Sequence, residues 1–88
     1  MTGFIGMDVG AVRNLAGQLK AKAEEINTIA NTLSSQLDSV QWVGPDASTF
    51  RSDWSGTHRA QLTAVADALG HAATRATQDA DQQENASR

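Results

Sequence analysis

Few side chains in this sequence are of a type and spacing that could do chemistry. His58 and His71 are 13 residues apart, which places them about 140° apart around an α-helix, so they cannot share a metal ion. Asp79 and Asp81 form an Asp-x-Asp spacing, but they fall in a segment that we predict to be too mobile for a metal site. Cysteine is absent, which excludes thiolate ligands and disulfides. The sequence therefore predicts no catalytic, metal or cofactor site and favours a protein that is not an enzyme.

Composition limits both the partners and the core. Seven Lys and Arg against ten Asp and Glu give a net charge of −3 without a basic cluster, so we expect no nucleic-acid binding. No segment approaches the roughly 18 apolar residues of a membrane span, and the opening residues lack the basic region of a signal peptide. We therefore expect no stable membrane insertion and no cleaved signal. With 88 residues and 15 alanines among its apolar set, the chain should need long helices, a partner, or both.

Residues 9 to 40 have the spacing of one long amphipathic helix, for which Asp8 is the predicted N-cap. One apolar row recurs every seven residues, and two further rows follow it by three and four positions. The first row is Val12, Leu19, Ile26, Leu33 and Val40; the second contains Leu15 and Ile29; the third is Ala16, Ala23, Ala30 and Leu37. Because this stripe is wider than the seam of a two-stranded coiled coil, we expect the helix to have two neighbours.

A turn is predicted at about residues 41 to 45. Pro45 cannot lie in a helix interior, but it is favoured as the first residue of a helix, and it pushes Gly44 out of the α region. The second helix is predicted over about residues 46 to 80, with residues 81 to 88 fraying. One four-residue shift relative to heptads predicts a local change of supercoil in this helix. Its stripe is Ala47, Phe50, Trp54, His58, Leu62, Val65 and Leu69, followed by alanines.

His58 would lie on this stripe at the edge of an interface, with a hydrogen-bond partner. An alternative is that its protonation loosens a dimer in acidic compartments.

Two long helices joined by a short turn predict an all-α fold, an antiparallel helical hairpin. A hairpin with wide apolar faces on both arms leaves a stripe exposed, so we expect it to pair into a four-helix bundle dimer. The predicted bundle core is Val12, Leu15, Leu19, Ile26, Ile29, Leu33, Leu37, Phe50, Trp54, Leu62, Val65 and Leu69.

The turn sequence Trp42-Val43-Gly44 has a structural and a functional interpretation. Trp42 could simply cover the end of the bundle, and Gly44 could supply the backbone angles of the reversal. Alternatively, both residues belong to a recognition surface.

The chain resembles the WXG family of small type VII secretion substrates, which includes the early secretory antigenic target and its culture-filtrate partner. The matching features are the length, the central Trp42-x-Gly44 turn, the long helix on each side, and the continuation through Ala47, Phe50 and Trp54. The resemblance implies a dimeric hairpin, paired with itself or with a paralogous small protein. It also implies secretion without a cleaved signal peptide, through recognition by the ATPase of a type VII system.

One family motif departs from its pattern here. The export motif Tyr-x-x-x-Asp/Glu has no tyrosine in this chain, and its nearest match is Thr77-x-x-x-Asp81. We therefore expect a non-enzymatic exported interaction protein of effector type, with Thr77 and Asp81 as weak export-signal candidates. The alternative is an intracellular helical adaptor or chaperone that escorts a larger secreted toxin.

Overall fold

The computed structural model describes residues 6 to 86, which form two long antiparallel arms. The first arm is α1 (Val9–Ser39). The second arm begins as α2 (Pro45–Asp53), passes through a π-helical segment (Trp54–His58) and continues as α3 (Arg59–Ala86). The rod measures 66 × 16 × 15 Å, and the described residues contain no strand. The predicted antiparallel helical hairpin is confirmed.

Local sequence explains where each arm begins and ends. Asp8 caps α1 as predicted, its Oδ1 accepting a hydrogen bond from the Ala11 N–H at 3.0 Å. After α1, Val40 turns extended, with φ −72° and ψ 135°. Gly44 has φ +117°, a left-handed conformation that glycine adopts without steric cost, and Pro45 follows at the first helical position.

The seam between the arms is built from alanine. Every buried apolar residue among those the structure describes is an alanine: Ala16, Ala23 and Ala30 on α1, Ala47 on α2, and Ala66, Ala73 and Ala80 on α3. Both arms repeat alanine every seven residues and run in opposite directions, so each row is covered by the other arm. Because alanine is small, the two helix axes can approach closely. The alanine row of the predicted stripe is therefore the contact within the hairpin.

The π-helical segment explains the shift in the spacing of the second arm. A π turn inserts one extra residue into an α-helix, and this insertion moves Arg59 rather than His58 toward α1. His58 is exposed, and Arg59 is half-buried. His58 is not buried between the arms, and beyond the π segment the residue buried against α1 is Ala66 rather than Val65.

The second arm is also longer than predicted. The helix reaches Ala86 instead of ending near residue 80. Arg13 near the start of α1 pairs with Asp81 and Glu84, so the last turns of α3 gain a charged partner that apolar spacing does not reveal. Within residues 6 to 86, no helix is long and apolar enough to cross a membrane.

Candidate interaction surfaces: the apolar face and the hairpin tip

The alanine seam divides the rod into two faces. On both arms, the large apolar residues lie one and four positions before a seam alanine, as Leu15 and Leu19 do on α1 and Val65 and Leu69 do on α3. In antiparallel helices, equal offsets from the seam fall on the same side. We call this side the apolar face; it consists of Val12, Leu15, Leu19, Ile26, Ile29 and Leu33 from α1, and Leu62, Val65 and Leu69 from α3.

The apolar face is largely open to solvent. Leu15 is 54% exposed, Ile29 52% and Val65 49%, and Leu33 is also exposed. Val12, Leu19, Ile26, Leu62 and Leu69 are half-buried at the edge of the seam. Extended exposed apolar strips are unusual on protein surfaces and are typical of sites that bind other macromolecules.

The opposite side, one and four positions after the seam alanines, is polar. We call it the polar face. At the end where α1 begins, the Arg13 guanidinium lies 2.9 Å from Asp81 Oδ1 and 3.4 Å from Glu84 Oε1. Nearer the turn, the Ser34 hydroxyl accepts hydrogen bonds from Trp54 Nε1, at 2.8 Å, and from the Arg59 guanidinium.

The polar face carries no apolar strip. Arg59 also donates to Asn31 Oδ1, and between the two polar clusters runs a shallow groove of about 560 Å³ lined by Lys20, Thr74 and two glycines, Gly17 and Gly70. These cross-arm contacts satisfy polar groups within one chain.

The hairpin tip holds the predicted recognition residues Trp42 and Gly44. The Trp42 ring is 39% exposed and packs against Phe50 with a centroid distance of 5.4 Å and an interplanar angle of 55°. Val43 between the two motif residues is 89% exposed. Beside this aromatic pair an apolar groove of about 370 Å³ continues the apolar face to the tip; we call it the tip groove, and it is lined by Leu33, Leu37, Val40, Trp42, Phe50 and Trp54, with Gln36 at its side.

Arg51 holds the tip in shape, and the sequence prediction missed it. Its guanidinium donates to the carbonyl oxygens of Leu37 at 3.2 Å, Val40 at 3.2 Å and Trp42 at 2.7 Å. These carbonyls lie at and beyond the end of α1, where the helix has no backbone donors of its own to satisfy them. The signal in the sequence is an arginine about two turns into the helix that follows the reversal, since only a long cation can reach back to the preceding helix end.

The weak export-signal candidates lie at the other end of the rod. Thr77 uses its hydroxyl to donate to the Ala73 carbonyl at 3.0 Å, and Asp81 is engaged by Arg13. Because Arg13 belongs to the second turn of α1 and Trp42 follows the end of α1, one chain does not bring Thr77 and Asp81 together with Trp42 and Gly44.

The candidates for chemistry are dispersed over the surface. His58 and His71 are both exposed, and Asp79 forms an i,i+4 ion pair with Arg75 at 3.2 Å. Within residues 6 to 86, no three His, Cys, Asp or Glu side chains are grouped in a way that could hold a metal ion.

Comparisons with protein-family models, with curated proteins and with solved structures gave no match. Function must therefore be inferred from the chain's own surfaces, chiefly the apolar face and the tip. Both are open strips formed by helix sides, whereas small-molecule sites are concave and enclose most of their ligand. Their shape suits contact with another protein.

Proposed function

We propose that this protein is a non-enzymatic interaction module of the WXG type, exported as a dimer by a type VII secretion system without a cleaved signal peptide. The observation that carries the proposal is the apolar face, which runs the length of a two-helix hairpin whose tip is the Trp42-Val43-Gly44 turn. This is the arrangement that the resemblance implies, and the residues of the tip are accessible to a partner.

The apolar face supports dimerisation. Leu15, Ile29, Leu33 and Val65 are 41% to 54% exposed in one chain. Removing apolar surface from water stabilises an assembly by about 25 cal/mol per Å². A second hairpin laid against the face forms a four-helix bundle in which Leu15, Ile29 and Val65 become core residues. The second hairpin is another copy of this chain or a paralogous small protein of the same kind.

The tip supports recognition by the secretion ATPase better than the tail does. Trp42 and Val43 are exposed and held on a rigid turn by Arg51, so a receptor can bind them without first unfolding the hairpin. Asp81 is engaged by Arg13, and a receptor would have to replace that contact. In this proposal Trp42 and Gly44 make the main contact, and Thr77 and Asp81 contribute weakly or through a partner chain.

The test is export in the source organism. We expect the protein in the culture medium with its original N-terminus, and we expect it to disappear from the medium when the secretion ATPase is deleted. Trp42→Ala should reduce export while leaving intracellular protein folded, as judged by helicity, and Asn27→Ala, at an exposed position of α1 away from the tip, is the control. Strictly intracellular protein, bound to a larger exported toxin, would overturn export and favour the escorting adaptor.

Pairing is tested separately on the purified chain. Sedimentation at micromolar concentration should give twice the 9.3 kDa chain mass, or one mass equivalent of each chain when the product of the neighbouring gene is added. A folded monomer under both conditions contradicts the dimer.

A further inference from the structure

The tip groove is an apolar site that its own chain leaves uncovered. Leu33, Val40 and Phe50 are 41%, 50% and 50% exposed, although they line a single recess. Its six main lining residues are all apolar and come from the last two turns of α1, the turn, α2 and the first residue of the π segment. An occupant of this groove should therefore be an apolar segment small enough to enter a helix-lined recess.

We propose that Phe4 and Ile5 of one copy occupy the tip groove of a second copy. The segment Phe4-Ile5-Gly6-Met7 is the apolar stretch that precedes α1. The residues that would dock, Phe4 and Ile5, precede the described part of the chain, which begins at Gly6 at the end of the rod away from the tip. The inference rests on the pairing of two copies under the proposed function.

The segment cannot reach the groove of its own chain. Phe4 is five residues before Val9, where α1 begins, and five extended residues span at most about 18 Å. Leu33, the groove residue nearest to that end, follows Val9 by 24 residues along α1, a distance of about 36 Å at 1.5 Å per residue. Only a second copy lying in the opposite direction brings its residues 4 and 5 to this tip.

The shape of the apolar face favours that opposite direction. Toward the tip the face is bulky, with Trp42 and Phe50 in contact. Toward the other end, α3 contributes Ala72 and Ala76 at the positions equivalent to Val65 and Leu69, so the face is thinner there. Packing the bulky end of each copy on the thin end of the other fills the interface, whereas packing like ends together leaves voids that cost stability.

The arrangement is symmetric and closed. In a two-fold dimer, each copy gives one segment and receives one, so both tip grooves are filled. The Phe4 ring would join the Trp42 and Phe50 pair, and aromatic rings favour such tilted clusters. The segment would then act as a clasp at each end of the bundle.

A cysteine-pair experiment tests the position of the segment, since the chain has no cysteine of its own. Full-length Gly3→Cys is mixed with full-length Gln36→Cys, and in a second sample with Gln82→Cys, and both are oxidised mildly. Gln36 lines the groove and Gln82 is an exposed residue at the opposite end. We expect the mixed disulfide with Gln36→Cys to dominate; preference for Gln82→Cys, or no preference in a chain that sediments as a dimer, overturns the inference and leaves the proposed dimer intact.

A second measurement does not depend on cysteine. Phe4→Ala should weaken the dimer by about tenfold or more, the loss expected from exposing one large apolar side chain, and it should shift the tryptophan fluorescence, to which Trp42 and Trp54 of the groove both contribute, toward longer wavelength. Thr2→Ala is the matched control and should change neither. An unchanged dimer constant and unchanged fluorescence for Phe4→Ala reject the clasp, whereas a monomeric wild-type chain rejects the pairing on which it rests.

Discussion

The two faces of the hairpin come from the same two helices and lie on either side of the same alanine seam. They differ in whether their side chains find partners within the chain. On the polar face, charged and hydroxyl groups of one arm meet those of the other, as Arg13 meets Asp81 and Arg59 meets Ser34. On the apolar face, side chains such as Ile29 and Val65 remain about half-exposed.

This difference separates what folds the chain from what it offers to a partner. Alanines that are 0% to 8% exposed in the seam bury little area each, so the single hairpin has a thin core. The larger residues, which could stabilise it most, are directed to the side where the chain has nothing to cover them. Changes to the seam should therefore affect folding, changes to the apolar face should affect pairing, and changes to the polar face should affect neither strongly.

The largest expected effect comes from removing one residue from an arm. Deleting Thr28 rotates the rest of α1 by about 100° and moves Ala30 off the seam, so both faces lose their alignment and the helical hairpin should fail to form. Deleting Gly56, by contrast, removes the extra residue of the π segment (Trp54–His58). It should leave stability within about 1 kcal/mol of the wild type, since it also removes a helical glycine.

Circular dichroism with thermal unfolding distinguishes the two deletions. If both deletions lowered the melting temperature equally, the π segment would not be a one-residue insertion into an α-helix. The alignment of the second arm with the alanine seam would then be wrong.

Overpacking the seam should have the next largest effect. Ala66 is 3% exposed, so Ala66→Leu forces the arms apart and should lower the free energy of unfolding by about 1–3 kcal/mol. Ala64→Leu is the matched control because Ala64 is exposed on the same helix and the helix propensities of the two variants are alike. Denaturant unfolding measures the free energy of unfolding of both variants. Equal values for Ala66→Leu and Ala64→Leu would contradict the alanine core.

A charge on the apolar face should separate pairing from folding. Ile29→Lys places a cation where Ile29 is 52% exposed, so the single hairpin should keep its helicity. Burying that cation in a dimer is unfavourable, and the dimer constant should weaken by about tenfold to a hundredfold, the equivalent of about 1.4–3 kcal/mol. Sedimentation equilibrium checks this against Asn27→Lys, a polar position of the same helix; equal behaviour of the two variants would remove the apolar face as the interface.

The smallest effect is expected on the polar face. Arg13 and its partners are 41% to 57% exposed, and exposed ion pairs contribute about 0–1 kcal/mol. Arg13→Ala should therefore lower stability by less than about 1 kcal/mol at low salt, and by less still at high salt. Arg75→Ala, which breaks an ion pair within α3, is the control. A loss above about 2 kcal/mol would show that the polar face carries the folding energy assigned to the seam.

Much of the fold follows from local sequence. The cap at Asp8, the reversal at Gly44 and Pro45, and the two long arms depend on interactions within a few residues, and each was predicted. Arg51, Ser34 and Arg59 were missed, because their contacts join residues that are 9 to 28 positions apart, across the turn or between the arms. The spacing of residues along one helix does not reveal such contacts.

The sequence by itself determined two amphipathic arms, their turn and the residues that share a stripe. Only the tertiary structure decided which row of that stripe lies inside the hairpin. Three adjacent rows on α1 are apolar, and their periodicity is equally consistent with any of them facing the second arm. The alanine rows face each other because they allow the closest approach of the helix axes. Turning each helix so that its alanines face the other arm also brings Arg13 and Arg59 to their hydrogen-bonding partners. The same rotation turns Leu15, Ile29 and Val65 outward, and with them the surface on which we expect a second chain to bind.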